Sequence, residues 1–400
     1  MRSSRVILLA ATLLAAITSL SVGTTSAAAA PSKAAGNMTD VCATHPQTGF
    51  AACLAKVRTD IRPLTASQAA APLATVSGLG PSQLQSAYKL PSATAGSGQT
   101  IAIVDAMDDP TAEADLGTYR SQFGLSPCTT ANGCFRKVDQ NGGTSFPAVD
   151  SGWALEISLD LDMASAICPN CHILLVEASS ASFANLGTAV NRAATMGANA
   201  ISNSYGGSDQ RESSSSSPYN HPGIAVTASS GDNGFGVSYP ASSKFVTAVG
   251  GTTLITASNS RGWTETVWNG AGSGCSRFQT QISGQANANT GCRRRAVADV
   301  SAVADPNTGV AVFDSTPFQN QSGWFVVGGT SASSPIIAGV FALAGNAASV
   351  SNNFPYSHTS ALFDVTSGNN GSCNPSQLCT ARAGWDGPTG LGTPNGTGAF

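Results

Sequence analysis

Trp324-Phe-Val-Val-Gly-Gly-Thr-Ser331-Ala-Ser-Ser-Pro335 decides how the rest of the chain is read. Trp324 to Val327 read as a buried strand, Gly328 and Gly329 turn the backbone, and Ser331 opens a helix extending to Ala344. A helix start carries free N–H groups and a positive dipole end, and both favour an oxyanion forming beside Ser331. Serine is also a common helix cap, so the motif alone leaves a plain capping role open.

The same strand-and-helix texture recurs upstream. Thr100–Asp105, His172–Glu177, Ala200–Tyr205, Ile224–Ala228, Phe245–Val249 and Gly309–Phe313 read as strands. Helical apolar spacing runs over Trp153–Ile167 and Phe183–Met196. Continuous apolar strands alternating with helices predict an α/β fold, a doubly wound parallel sheet with helices on both faces. Active residues of such sheets gather beyond the carboxyl ends of the strands.

The chain opens as an export signal: Met1, Arg2 and Arg5, then an apolar run from Val6 to Ile17, then small residues around Ala28. That run is short for a membrane span, so residues 1–28 are expected to be a signal peptide and the mature protein to be secreted and extracellular. Residues 29–78, rich in Ala, Thr and Ser, read as a short pro-segment or N-terminal extension, and 79–400 as the main domain. The 10 cysteines form sequence-near couples: Cys42 and Cys53, Cys128 and Cys134, Cys168 and Cys171, Cys275 and Cys292, Cys373 and Cys379. Local disulfides suit an oxidising compartment, although spacing does not dictate connectivity. Cys168-Pro-Asn-Cys171 has no second CxxC to complete a zinc site and follows a helix rather than opening one, so a structural bridge is expected. A net charge of −3 recommends neither nucleic acid nor an anionic membrane as partner. Charged residues are only 10% of the chain, so acidification breaks few ion pairs. Arg293-Arg-Arg295 reads as a solvated basic loop.

Trp153-Ala-Leu-Glu156-Ile-Ser-Leu-Asp160 places two carboxyls four residues apart, on one helical face. Leu155, Leu159 and Met163 flank them, so the helix is apolar nearly all round and the pair is expected to be buried, sharing protons. Asp162 points away from that face. Ser229-Ser-Gly-Asp232-Asn-Gly234 follows a buried strand; alone it is an ordinary turn. The histidines are His45, His172, His221 and His358, and none precedes the Gly-Thr expected of a triad base.

Glu156-x-x-x-Asp160, Ser229-Ser-Gly-Asp232-x-Gly234 and Gly329-Thr-Ser331, in that order, resemble the catalytic set of the sedolisin (serine-carboxyl peptidase) family. The resemblance covers Leu79 to the C-terminus and implies a subtilisin-like fold and peptide hydrolysis at acid pH. It makes Ser331 the nucleophile, Glu156 the general base, Asp160 the group orienting Glu156, and Asp232 the oxyanion donor, which requires Asp232 to be protonated. Asp105 extends the carboxyl network. Ser204-Tyr205-Gly206 matches the substrate-binding strand edge, where Trp often replaces Tyr205. Phe363–Gly368 and Ala383–Pro394 resemble the family's calcium loops, with carboxylates from Asp364 and Asp386 and backbone carbonyls from Val365, Arg382 and Gly384 around one structural ion. Arg382 replaces the usual glycine. The family usually carries a large folded pro-domain, and the leader here is too short for one.

Protein or peptide substrates and a monomeric state are expected. Two other readings compete. One is a subtilisin-like Ser-His-Asp peptidase using Asp105 with His172 or His221; the other is a secreted binding protein of the same fold without turnover.

Overall fold

A computed structural model describes residues 1, 36–44, 46–70, 75–212 and 217–400. The signal-peptide reading of residues 1–28, His45 and most of the Ser213–Ser217 loop lie outside the described residues.

Eight strands form the central sheet. Its order is Trp263–Val267, Thr247–Thr256, Ala225–Ser229, Ala200–Asn203, Thr100–Ala106, His172–Ala178, Phe135–Asp139, with Val300–Val303 also paired to Thr247–Thr256. All the pairings are parallel except that of Trp263–Val267. The apolar runs explain this: Ile101, Ile103, Ile173, Leu175 and Ile201 are buried, as strands covered on both faces require.

The helices show two kinds of cover. Phe183–Thr195 buries one stripe, Leu186, Ala189, Val190 and Ala193, against the sheet. Ser151–Ile167 is buried all round from Gly152 onward, as its sequence predicts, because a second layer covers it. It packs on strand Thr100–Ala106 and helix Thr330–Ala344, and also on the strand Val310–Phe318. Asp150 starts it by accepting from the N–H groups of Gly152 and Trp153, both at 3.0 Å.

That second layer departs from the expected topology. Val310–Phe318 and Gln321–Gly328 do not join the parallel sheet. They form an antiparallel hairpin in a separate sheet of four strands with Lys56–Arg58 and Met38–Asp40. The two-residue turn is Gln319-Asn320, with φ of 48° and 63°. Both residues take the left-handed form that such turns demand without the Asn-Gly pair that announces them. The strand read as Ala200–Tyr205 is likewise two, Ala200–Asn203 and Tyr205–Ser208, broken at Ser204. The second pairs with Ala52–Cys53.

All five expected cysteine couples are disulfides. Arg295 corrects the reading of a solvated basic loop: it is fully buried, ion-paired with Asp299, and Asp299 Oδ1 accepts from its Nη1 at 2.8 Å. A charge alone has no reason to be buried, but one with a matched carboxylate does.

Candidate active site

Helix Thr330–Ala344 begins after Gly329, whose φ of 98° requires glycine. A Cβ there would also lie 2.4 Å from Leu54 O and 2.5 Å from Asp232 Oδ2, so both oxygens border one small space at the helix start. Ser331 is buried at that start. Its N–H donates to Leu54 O at 2.9 Å, and its hydroxyl donates to Ser204 O at 3.1 Å.

Asp232 is fixed by its neighbour in the motif. Thr330 donates to Asp232 Oδ1 from both N–H and Oγ1, each at 2.8 Å. Thr330 is itself held by Ser229, whose hydroxyl donates to Thr330 O at 2.8 Å. Thr330 was not singled out in the sequence, although it stands inside Gly-Thr-Ser. Asp232 Oδ2 is buried with no hydrogen-bond partner among the described residues. Burial pushes the carboxyl up to about 7, against the pull of the two Thr330 bonds.

Glu156, Asp160 and Asp105 form a buried carboxyl cluster whose six oxygens have no hydrogen-bond partner among the described residues. Burial first, then repulsion from Asp160 and Asp105, drives Glu156 well above the ordinary carboxylate range, while the nearby Ser331 hydroxyl pulls the other way. Asp160 is raised well above that range by burial and by Asp105. Asp105, at the end of strand Thr100–Ala106, is pushed by burial to about 8. Asp162 points elsewhere and accepts from Phe313 N–H at 3.0 Å.

These shifts carry a stability prediction. Folded-state values raised above the unfolded ones mean that the folded chain binds more protons, so stability is greatest in acid and falls as pH rises toward 7 or 8. The Ser331→Ala variant is therefore expected to melt several degrees lower at mildly alkaline pH than near pH ~4, the ordinary carboxylate range. A thermal unfolding series checks this.

Ser204 lies beside Ser331, whose hydroxyl donates to its carbonyl, and Tyr205 and Gly206 begin the strand that follows. Their backbone faces the cleft: Ala52 pairs with Gly206 and Cys53 with Tyr205. The Tyr205 ring is buried instead, its hydroxyl donating to Asn203 Oδ1 at 2.8 Å. The described histidines are engaged away from Ser331. His172 starts a strand, His221 Nε2 bonds Pro218 O at 2.8 Å, and His358 stacks on Phe354 at 3.8 Å between centroids.

The C-terminal loops bring Asp364 and Asp386 close enough for Asp364 to raise the Asp386 carboxyl, which burial drives to about 7. Gly384 N–H donates to Asp364 Oδ2 at 2.8 Å. Among the described residues no donor engages the carbonyls of Val365, Arg382 or Gly384. The Arg382 side chain turns away, donating to Gln377 Oε1 at 2.7 Å and Trp385 O at 3.0 Å. Two neighbouring carboxylates and three free carbonyls are hard oxygen donors of the kind a calcium ion takes. Elsewhere Asp109, Asp115 and Asp314 hold carboxylate oxygens within 4.8 Å of one another, a second acidic group able to hold a metal.

A serine at a helix start, carboxyls buried beside it and a mostly parallel sheet define a subtilase architecture, and the subtilase family profile matches residues 152–358. Kumamolisin from Bacillus sp. (strain MN-32) is 32% identical over 368 residues, 82% of this chain and 64% of its own length. Sedolisin from Pseudomonas sp. (strain 101) is 30% identical over 362 residues, 80% of this chain and 60% of its own. A solved structure of Pseudomonas sedolisin, a serine-carboxyl proteinase complexed with two molecules of pseudo-iodotyrostatin, superposes with a TM-score of 0.66 at 26% identity. The match covers 80% of this chain and 96% of that one. The chain is a subtilase and belongs to the sedolisin family. It spans 60% to 64% of the length of the two curated relatives.

Proposed function

We propose that this protein is an exported serine peptidase that hydrolyses unfolded protein or peptides in acid, with Ser331 as nucleophile and carboxyl groups in place of histidine. The observation that carries the reading is Asp232: one oxygen held by Thr330, the other buried and without a partner among the described residues, bordering the same small space at the helix start as Leu54 O, the acceptor of the Ser331 N–H. A carboxyl at about 7 keeps its proton in acid and donates it as a hydrogen bond to a forming oxyanion.

In this reading Ser331 Oγ attacks the substrate carbonyl and Glu156 takes its proton. The cluster of Glu156, Asp160 and Asp105 titrates as a unit, and the reading requires that its first negative charge rest on Glu156 when the serine proton is taken. Glu156 then delivers the proton to the leaving amine, and water hydrolyses the ester by the same relay. The strand edge Ser204–Gly206 orients the substrate backbone. Hydrolysis of an unfolded protein in acid and in mildly alkaline buffer is the test, and activity confined to alkaline buffer would return the subtilisin-like alternative.

Export is supported by the N-terminal pattern and five disulfides, and no described helix is long and apolar enough to cross a membrane. We take the protein to act as a monomer. Asp364, Asp386 and the carbonyls of Val365, Arg382 and Gly384 would hold calcium, which supplies structural crosslinking of two loops. An ion bound only by the folded state stabilises it by mass action. Chelator is therefore expected to lower the melting temperature at fixed pH, by about 2.7 kcal/mol worth of stability if calcium had been present at 100 times its dissociation constant. Thermal unfolding with and without chelator, repeated on Asp386→Asn, checks this; the variant should lose the calcium response.

A further inference from the structure

Three residues of one buried turn grip a single residue at the helix start. The Ser229 hydroxyl donates to Thr330 O at 2.8 Å, and the Gly231 N–H donates to Thr330 Oγ1 at 3.1 Å. Asp232 Oδ1 accepts from both Thr330 N–H and Thr330 Oγ1, each at 2.8 Å. Gly231 reaches its place with a φ of 124°, and a Cβ there would lie 3.2 Å from Ser238 Oγ.

The direction of each bond follows from which group has a proton to give. A backbone N–H can donate but not accept, so Thr330 Oγ1 accepts from Gly231 and sends its own proton elsewhere. Among the described residues the acceptor it reaches is Asp232 Oδ1. Oδ1 therefore takes two donors, one for each lone pair, whereas Oδ2 is buried and takes none. A proton placed on Oδ1 would displace one of those donors and strand the Thr330 hydroxyl proton without an acceptor, at the cost of a buried unmade hydrogen bond.

We propose that Thr330 is a positioning residue that fixes the proton of neutral Asp232 on Oδ2, turning a carboxyl with two equivalent oxygens into a donor with one direction. The proposal rests on the peptidase reading above, in which Asp232 donates to the oxyanion. Oδ2 is the oxygen that borders the helix start, 2.5 Å from where a Gly329 Cβ would stand, and a proton on Oδ1 is lost to the reaction. The same two donors also stabilise the carboxylate, so they hold down a group that burial raises to about 7. The charged groups facing Asp232 are Lys56, which lowers it, Asp40, which raises it, and Glu156, itself raised by Asp232. Lys56 and Asp40 are ion-paired and act in opposite directions. The Thr330 hydroxyl is thus a neutral group that sets both the direction in which Asp232 donates and the pH range over which it does so.

The experiment uses the full chain. Wild type, Thr330→Ser, Thr330→Val, Asp232→Asn and the double variant Asp232→Asn/Thr330→Val are checked for folding by melting curves. Each is then followed for kcat/KM against pH on one unfolded peptide. Thr330→Val removes one donor from the carboxylate, so the alkaline limb should move up by about one pH unit. The acid plateau should fall about twofold or more, because the proton now divides between two oxygens and a smaller fraction of molecules is competent. Thr330→Ser keeps the hydroxyl and should keep the limb at its wild-type position. In Asp232→Asn the donor is an amide, so adding Thr330→Val should shift nothing along the pH axis. A limb that stays in place in folded Thr330→Val, or moves equally in Thr330→Ser, overturns the proposal, since a merely structural threonine changes the rate without moving the limb. Thr330→Ala, which lacks the same hydroxyl, takes the place of Thr330→Val if that variant does not fold. A wild-type limb unchanged by Asp232→Asn overturns the oxyanion role of Asp232 and the proposal with it. No turnover in acid by the folded wild type overturns the peptidase reading itself.

Discussion

Ser331→Ala is expected to abolish hydrolysis while leaving a folded protein. The side chain removed is the one beside the helix start, the buried carboxyl cluster and the strand edge, whereas the next two serines of the helix are engaged elsewhere: Ser333 donates to Ala302 O and Val303 O, and Ser334 bonds Ser202 and Thr227. Removing the nucleophile of a serine peptidase of this architecture costs roughly 10^6 in kcat. The stability cost is small by comparison. The hydroxyl makes two neutral hydrogen bonds, to Ser204 O and from Leu54 N–H, and each contributes about 1 kcal/mol. Steady-state kinetics on one peptide, with a melting curve on the same preparation, tests both parts. Retained activity would remove Ser331 from the mechanism; a lost fold would make it a structural cap.

Asp232→Asn should change the shape of the pH profile as well as its height. Wild-type kcat/KM is expected to fall as pH rises through about 7, where Asp232 loses the proton it donates to the oxyanion. Asparagine donates at every pH, so the alkaline limb should flatten. The amide sits in a site shaped for a carboxyl, and Thr330 donates twice to the oxygen that would remain, so the rate at the acid optimum should drop by about 10²–10³. An alkaline limb unchanged in Asp232→Asn would assign that limb to another group, with Asp105, at about 8, next in line.

Much of this architecture was legible in the residue pattern because it depends on local rules. Alternating apolar strands and helices announce a parallel sheet. Helix Ser151–Ile167 is apolar on every side, and that alone predicted a carboxyl pair out of water. The cysteine couples were legible for the same reason, since the nearest partner is the cheapest loop to close.

Other features depend on which distant segments meet, and no local rule encodes that. Val310–Phe318 reads as one more buried strand, yet it lies in a second sheet, because Gln319-Asn320 turns as tightly as an Asn-Gly pair without resembling one. Arg295 reads as solvated, yet it is buried where the carbonyls of Ser243 and Val246, 52 and 49 residues away, accept from it. Asp232 was picked out by its motif, but the division of labour between its two oxygens comes from Thr330, 98 residues away. The low-complexity stretch before Gly78 carried no sign that Leu54 would rest on Ser331, a contact spanning 277 residues. Chemistry at the site is therefore written in residue types and short spacings, whereas what fills and restrains the cleft is set by strand pairing, whose backbone hydrogen bonds are the same for any sequence and are chosen only by the packing of the whole chain.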